Sequence, residues 1–312
     1  MSNQSEMRAV YNETLIELAE KDERIVLLEA DLMRATGTKS FSQRFPERTI
    51  NVGVAEANMV GIAAGLSTTG KIPFANSFAT FASRRVFDQF FISANYAQLN
   101  VKLVGSDPGI TAALNGGTHM SFEDLGIMRT IPKLVIFEPS DPISLRKLVQ
   151  CAAKHEGCTY MRLHRGMASA IYEDTEAFEL GKGKVLRNGK DIALIATGVI
   201  MVREALKAAE FLAGEGISAS VVDMHTIKPI DRDLIIDLAK TCGAIVTCEN
   251  HQTVNGLGSA VAEVLVETMP VPMARVGVKD LFGEVGSVDY LIERFELTAA
   301  SIINQGKQLL LK

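Results

Sequence analysis

With 312 residues, 47% of them hydrophobic and 22% charged, the chain is long enough for two domains with separate cores and has an ordinary soluble composition. Its net charge of -5 argues against nucleic acid or an anionic membrane as a partner. No apolar run reaches membrane-spanning length, MSNQSEMRAV lacks a signal-peptide core, and Cys151, Cys158, Cys242 and Cys248 show no CxxC or metal-type spacing, so a reducing cytoplasm is expected.

Ser5 to Lys21 reads as a helix, with Ser5 as N-cap and Val10, Leu15, Ile16 and Leu18 on its apolar face. Arg8 falls in its first turn, where a cation opposes the dipole, and reads either as a solvated side chain or as a ligand contact. IVLLE (Ile25 to Glu29) is a buried-type strand running into Ala30-Asp31-Leu32, and Met33 to Phe45 reads as a polar loop. Thr49 to Val52 is strand-like and turns at Gly53. Glu56 then opens an apolar helix, Ala57 to Leu66. A carboxylate in a first helical turn commonly just complements the dipole. The flanks of Glu56 are small or apolar, so it is expected to be partly buried and able to share a proton with a ligand. Ile72 to Ala75 leads to Phe78 and Phe81, flat walls suited to a flat heterocycle. Arg84 to Leu99 reads as a helix and Val101 to Val104 as a strand. The Gly-rich segment GSDPGITAALNGGTHM follows, at the kind of strand end where open parallel sheets place ligands. Turn geometry alone also explains its glycines, and packing explains His119.

Lys133 to Phe137 is another strand. Asp141 or Ser140 can cap the helix running to His155, with Pro142 at its first position and His155 solvated. Thr159 to Leu163 is a strand carrying Arg162, His164 and Arg165, a set fit for phosphate or for surface ion pairs. Gly166 to Gly189 is rich in charge and glycine and reads as a linker with an entry hairpin. IALIATG, SASVVDM and AIVTCEN then alternate with helical patterns over 202–213, 231–239 and 258–267, which argues for βαβ units. The expected fold class is α/β: two α/β domains with mostly parallel sheets, over 1–167 and 190–312, joined by a linker at 168–189. Glu249, His251 and Asn255 look positioned by the turn at Gly256, which lacks the setting of a dinucleotide fingerprint.

VGVAEANMVGIAAGLS followed by FANSFATF resembles the pyrimidine-binding module of thiamine-diphosphate enzymes, the transketolase kind in particular. ENHQTVNGLGSAVAE resembles the C-terminal domain that transketolases share with oxo-acid dehydrogenase beta subunits. The resemblance covers essentially the whole chain, but only the C-terminal half of a full-length transketolase. It implies that Glu56 hydrogen-bonds the aminopyrimidine of the cofactor and that Phe78 and Phe81 flank it. Asp31, in the "ADL" strand end, lies at the cofactor pocket. His119, in GGTHM, moves substrate protons, and Arg8 and Arg165 bind substrate phosphate. His225 and His251 are structural. Two positions depart from the family: Ser106-Asp107-Pro108 replaces a histidine, and Asn115 replaces an acid that contacts a donor hydroxyl. Both read the sugar, so an unusual ketose phosphate is expected.

The Gly-Asp-Gly…Asn element that holds the diphosphate through a metal is missing from the sequence. The resemblance therefore implies a split transketolase, with no metal site in this chain. A separate N-terminal subunit would supply the Mg2+ or Ca2+ site and share the thiamine diphosphate, in a heterotetramer that moves a two-carbon ketol unit between sugar phosphates. The rivals are an oxo-acid dehydrogenase beta-type subunit, a deoxyxylulose phosphate synthase-like half and a non-catalytic scaffold.

Overall fold

The computed structural model describes residues 4–311, and the all-apolar runs of the sequence form its strands. Ile25–Glu29, Ile72–Phe78 and Thr159–Leu163 are buried at every residue, as parallel strands covered on both faces must be. Two α/β units result, each with a mostly parallel sheet. The first sheet has seven strands in the order Thr226–Lys228, Val135–Phe137, Thr159–Leu163, Lys102–Ser106, Ile72–Phe78, Ile25–Glu29 and Thr49–Asn51. All its neighbours are parallel except Thr226–Lys228, which runs antiparallel along the edge. Helices Met7–Lys21 and Pro142–Lys154 cover one face, and Glu56–Thr68 covers the other. The second sheet runs Met273–Val278, Ile245–Gln252, Ile192–Ala196, Ala219–Asp223 and Lys184–Arg187, the last strand antiparallel. Gly198–Gly214 and Ala299–Leu310 pack on one side of it, Arg232–Cys242 and Leu257–Glu267 on the other. Among the described residues no helix is long and apolar enough to cross a membrane, and the four cysteines are free.

Several local expectations are corrected. Ser5 does not cap the first helix. It lies in a short strand, Gln4–Glu6, paired with Met167–Ser169, and the helix starts at Met7 with no side-chain cap. The polar loop over 33–45 contains two short helices, Met33–Thr36 and Lys39–Arg44, the latter burying Phe41. The helix expected over 84–99 is instead a broken segment with π-helical turns at Phe81–Arg85 and Phe90–Tyr96, interrupted at Val86. The entry hairpin does not form, because Lys184–Arg187 crosses to pair with Ala219–Asp223 rather than with the next strand. His155 is half-buried, and its carbonyl accepts from Lys102 Nζ at 2.6 Å. Asp141 is the cap of Pro142–Lys154, in a reciprocal box with Ser144, and its second oxygen accepts the backbone N–H groups of Ile171 and Tyr172.

The two cores are not separate. Ile110, Ala112, Met120 and Phe122, from the first half, pack into the core of the second. Val199 and Ile227 of the second half pack into cores of the first.

Arg162 is neither a phosphate ligand nor a surface ion pair. It is fully buried. Its Nε donates to Asp124 at 2.8 Å, its Nη1 to Glu138 at 2.8 Å, and its Nη2 to the carbonyl of Asn250 at 2.9 Å. Tyr160 adds a hydroxyl bond to Asp124 at 2.8 Å. Removing one member of such a group leaves the others charged without a partner. Arg162→Met is expected to destabilise the chain by about 3–5 kcal/mol, read from the urea midpoint. A loss below about 1 kcal/mol would contradict this role for the pair.

Candidate active site

Glu56 is the first residue of helix Glu56–Thr68 and is 2% exposed. Both its oxygens accept from Arg85 Nη1 at 2.9 Å, and Oε1 also takes the Ser77 hydroxyl at 3.4 Å. Arg85, itself 46% exposed, lies 4.0 Å above the Phe81 ring. Phe81 and Phe78 are 6.1 Å apart between ring centres. The His119 ring stands edge-on to both, at 5.2 and 5.6 Å, and its Nδ1 meets the Thr118 hydroxyl at 2.9 Å. The fold thus gathers Glu56, Phe78, Phe81 and His119, from three separate segments, into one run of contacts. Arg85 was not singled out from the sequence. Its signal was its position one helical turn after Phe81, which a π-helical turn converts into a reach back to Glu56.

The Gly-rich segment that carries His119 is held from the other half of the chain. The Asn250 side chain donates to Pro108 O at 3.1 Å and accepts from Ile110 N at 3.0 Å. Gly109 between them has φ +58°, and a Cβ there would strike Asn250. Gln252 N donates to Phe122 O at 2.9 Å. His251 is buried with Nδ1 at 2.7 Å from Gln252 O, while Nε2 accepts from Gly126 N at 3.4 Å. That pattern fixes a neutral tautomer, and burial lowers its pKa to about 4. The carboxylate of Glu249 accepts two backbone N–H groups at the start of Leu257–Glu267. His225 is also buried, against Phe178 and the Thr226 hydroxyl. Glu249, His251 and His225 therefore serve the frame.

The remaining nominated residues are more scattered. Arg8 bonds Glu6 at 2.8 Å and the carbonyl of Ala35 at 3.1 Å, so it also anchors the segment after Asp31. Asp31 is exposed, and Asn51 ties it to Gly53, three residues before Glu56. Asn115 is exposed, on a turn between Ala113, at φ +47°, and Gly116. Arg165 reaches Asp107, with Nε 3.2 Å from a carboxyl oxygen. Glu29 was passed over as the end of a strand. It is buried, takes the hydroxyls of Thr36 and Thr38 at 2.8 and 2.7 Å, and has one oxygen without a partner. Burial raises its pKa to about 8. Among the described residues no group of three or more His, Cys, Asp or Glu is arranged to hold a metal ion.

The fold is an α/β module that carries the Glu56 cluster, joined to a second α/β domain. The family model for the transketolase pyrimidine binding domain matches residues 3–169, and that for the transketolase C-terminal domain matches 181–302. The chain belongs to the transketolase family. It is 54% identical to the 6-deoxy-6-sulfo-D-fructose transketolase subunit SqwH of Clostridium sp. (strain MSTE9), over 97% of this chain and 94% of that one. A split gene transketolase solved as an inactive beta4 tetramer superposes with a TM-score of 0.92 at 44% identity, covering 98% of each chain. Transketolase of Rattus norvegicus is 35% identical over 98% of this chain but 49% of its own length.

Glu29 gives a pH test of the frame. Its folded pKa lies above its unfolded value, so its contribution is complete below about pH 4.5 and is lost as pH rises toward 8. Stability is expected to fall by about 1.4 kcal/mol per pH unit across that window from this one proton. Glu29→Gln removes this share of the slope. Urea unfolding of both proteins from pH 5 to 8 checks it, and parallel curves would refute it.

Proposed function

We propose that this chain is the pyrimidine-side subunit of a two-chain transketolase. It moves a two-carbon ketol unit between sugars that carry a terminal acid, as phosphate or a related group. The observation that carries the reading is the buried Glu56 carboxylate, set beside the flat rings of Phe78 and Phe81 in a transketolase-family pyrimidine module. These residues fit an aminopyrimidine: a strong acceptor for its ring nitrogen and apolar faces for the ring itself. Bound there, thiamine diphosphate would supply the nucleophilic carbon for ketol transfer. Arg85 lies half in solvent, so Glu56 can exchange it for a ligand without rearranging the core.

His119, on the edge of the same aromatic pair, holds or moves a proton at the substrate's carbonyl and hydroxyl. Arg8 and Arg165 take the acid tail, Asn115 reads a donor hydroxyl, and Asp31 borders the cofactor pocket. A separate cytoplasmic chain supplies the diphosphate site and its Mg2+ or Ca2+, in a heterotetramer with two copies of each. The inactive beta4 form of the split relative supports the need for that partner. So do Val54 and Leu114, apolar side chains 73% and 75% exposed beside the Glu56 turn and the His119 segment. The sulfofructose relative, together with the changed sugar-reading positions Asn115 and Asp107, supports a ketose outside the common set.

The test is reconstitution with the diphosphate-binding chain and a ketol-transfer assay across phosphate- and sulfonate-bearing ketoses. Glu56→Ala is expected to lower kcat by about 100-fold or more while the complex still assembles. An unchanged rate would favour a scaffold role, and carbon dioxide release from pyruvate would favour a synthase of the deoxyxylulose phosphate type. His119→Ala is expected to lose about 100-fold in the same assay, with assembly by gel filtration unaltered. Full activity in that variant would remove His119 from proton handling.

A further inference from the structure

We propose that Asp107 determines which acid tail the substrate carries, favouring a singly charged acid such as a sulfonate over a phosphate ester. The inference rests on the ketol-transfer reading above and on Arg165 as the partner of that tail. Asp107 follows strand Lys102–Ser106 with φ +55° and is fully buried. One oxygen is 3.2 Å from Arg165 Nε, yet neither oxygen has a well-formed hydrogen bond among the described residues. Arg8 is near enough to stabilise its charge as well. The guanidinium offered to the tail is therefore already answered in part by a carboxylate.

The wider lining points the same way. Arg165 faces a cavity of about 500 Å³ between the two halves of the chain. Its other cations, Arg203 and Lys207, share that cavity with Glu204 and Asp289, and Lys207 is bonded to Glu204 at 2.6 Å. His164 adds no charge there at neutral pH, since burial, with Arg203 and Arg165 nearby, lowers its pKa to about 4. Three lining cations thus meet three carboxyl groups, of which Asp107 is part-ionised at neutral pH, so little net positive charge remains to attract a dianion. A phosphate monoester brings about 1.5–2 negative charges at pH 7, whereas a sulfonate brings one. The additional charge would lie beside a buried carboxyl, where Coulomb repulsion is weakly screened. Burial has already raised that carboxyl to about pH 7, so a dianion must either bear the repulsion or drive Asp107 to take up a proton.

The experiment uses the reconstituted two-chain complex with two donors that differ only at C6, fructose 6-phosphate and 6-deoxy-6-sulfofructose. Asn tolerates the left-handed backbone at this position, so Asp107→Asn removes the charge and keeps the shape. Measured at pH 8, about a unit above the Asp107 pKa, where taking up a proton costs roughly tenfold, the ratio of kcat/KM for the phosphate donor to that for the sulfonate donor is expected to rise about tenfold in this variant. The ratio is internal to each preparation, so a loss of active fraction does not move it. Should Asp107→Asn fail to assemble, Asp107→Ser is read by the same ratio. A ratio within about twofold of wild type, in an active complex, overturns the role of Asp107 and leaves the ketol-transfer reading standing. If the wild-type complex transfers from neither donor, the ketol-transfer reading itself fails, and the inference with it.

Discussion

Arg162 brings a full charge to a place with no water, and that charge must be answered by atoms from several parts of the chain. Asp124 comes from the segment after the Gly-rich loop, Glu138 from the end of a neighbouring strand, and the Asn250 carbonyl from the second domain. A buried ion tolerates little displacement of its partners. The three segments are therefore held in one mutual arrangement. Asn250 passes this order on, because its side chain grips Pro108 and Ile110 while its carbonyl takes Arg162. The segment that carries His119 is thus set from the second domain. This gives that domain a task at the site.

The architecture was legible wherever one residue type fixes the outcome. Buried parallel strands announce themselves as apolar runs, and most stand where the sequence put them; Met273–Val278, buried only in its second half, was not read. Of the two caps the Ser-Asp-Pro order offered, Ser140 and Asp141, the helix uses Asp141. At the site, Glu56 was legible because a carboxylate with apolar neighbours is anomalous in composition. Phe78 and Phe81 stood out as flat rings just downstream, whereas His119, which packing alone could explain, stood out only through a resemblance of motif. What escaped depends on contacts far apart in sequence. Arg162 looked like a surface cation because its two carboxylates lie 38 and 24 residues away. Arg85 was hidden by assuming a regular helix, since only a widened turn carries it over Phe81 to Glu56. The pairing of Lys184–Arg187 was missed because local pattern names a strand but not its neighbour.

The cations around the site share one design. Arg85 is held by Glu56, Arg165 by Asp107, and Arg8 by Glu6. Arg85 and Arg8 are thereby oriented by hydrogen bonds, while Arg165 meets its carboxyl by charge alone. An anion that reaches such a residue must therefore compete with a carboxyl group already there. The aromatic rings follow a related logic. Phe81 is bounded by Arg85 on its face and by the edge-on ring of His119, which fixes the plane of its ring.

The antiparallel edge strand Thr226–Lys228 has a consequence for how this protein is made. It closes the first sheet against Val135–Phe137, although it lies beyond the linker and beyond three strands of the second sheet. A growing chain that has already left the ribosome as far as Leu163 therefore carries an unpaired sheet border, the kind of surface that recruits other nascent chains. At about 5–20 residues per second this opening lasts some seconds before the covering strand emerges. The first domain is thus not a finished unit in the order of synthesis. A shortened product that stops before Thr226 is left with a bare strand, so the chain's solubility depends on translation running through its second half.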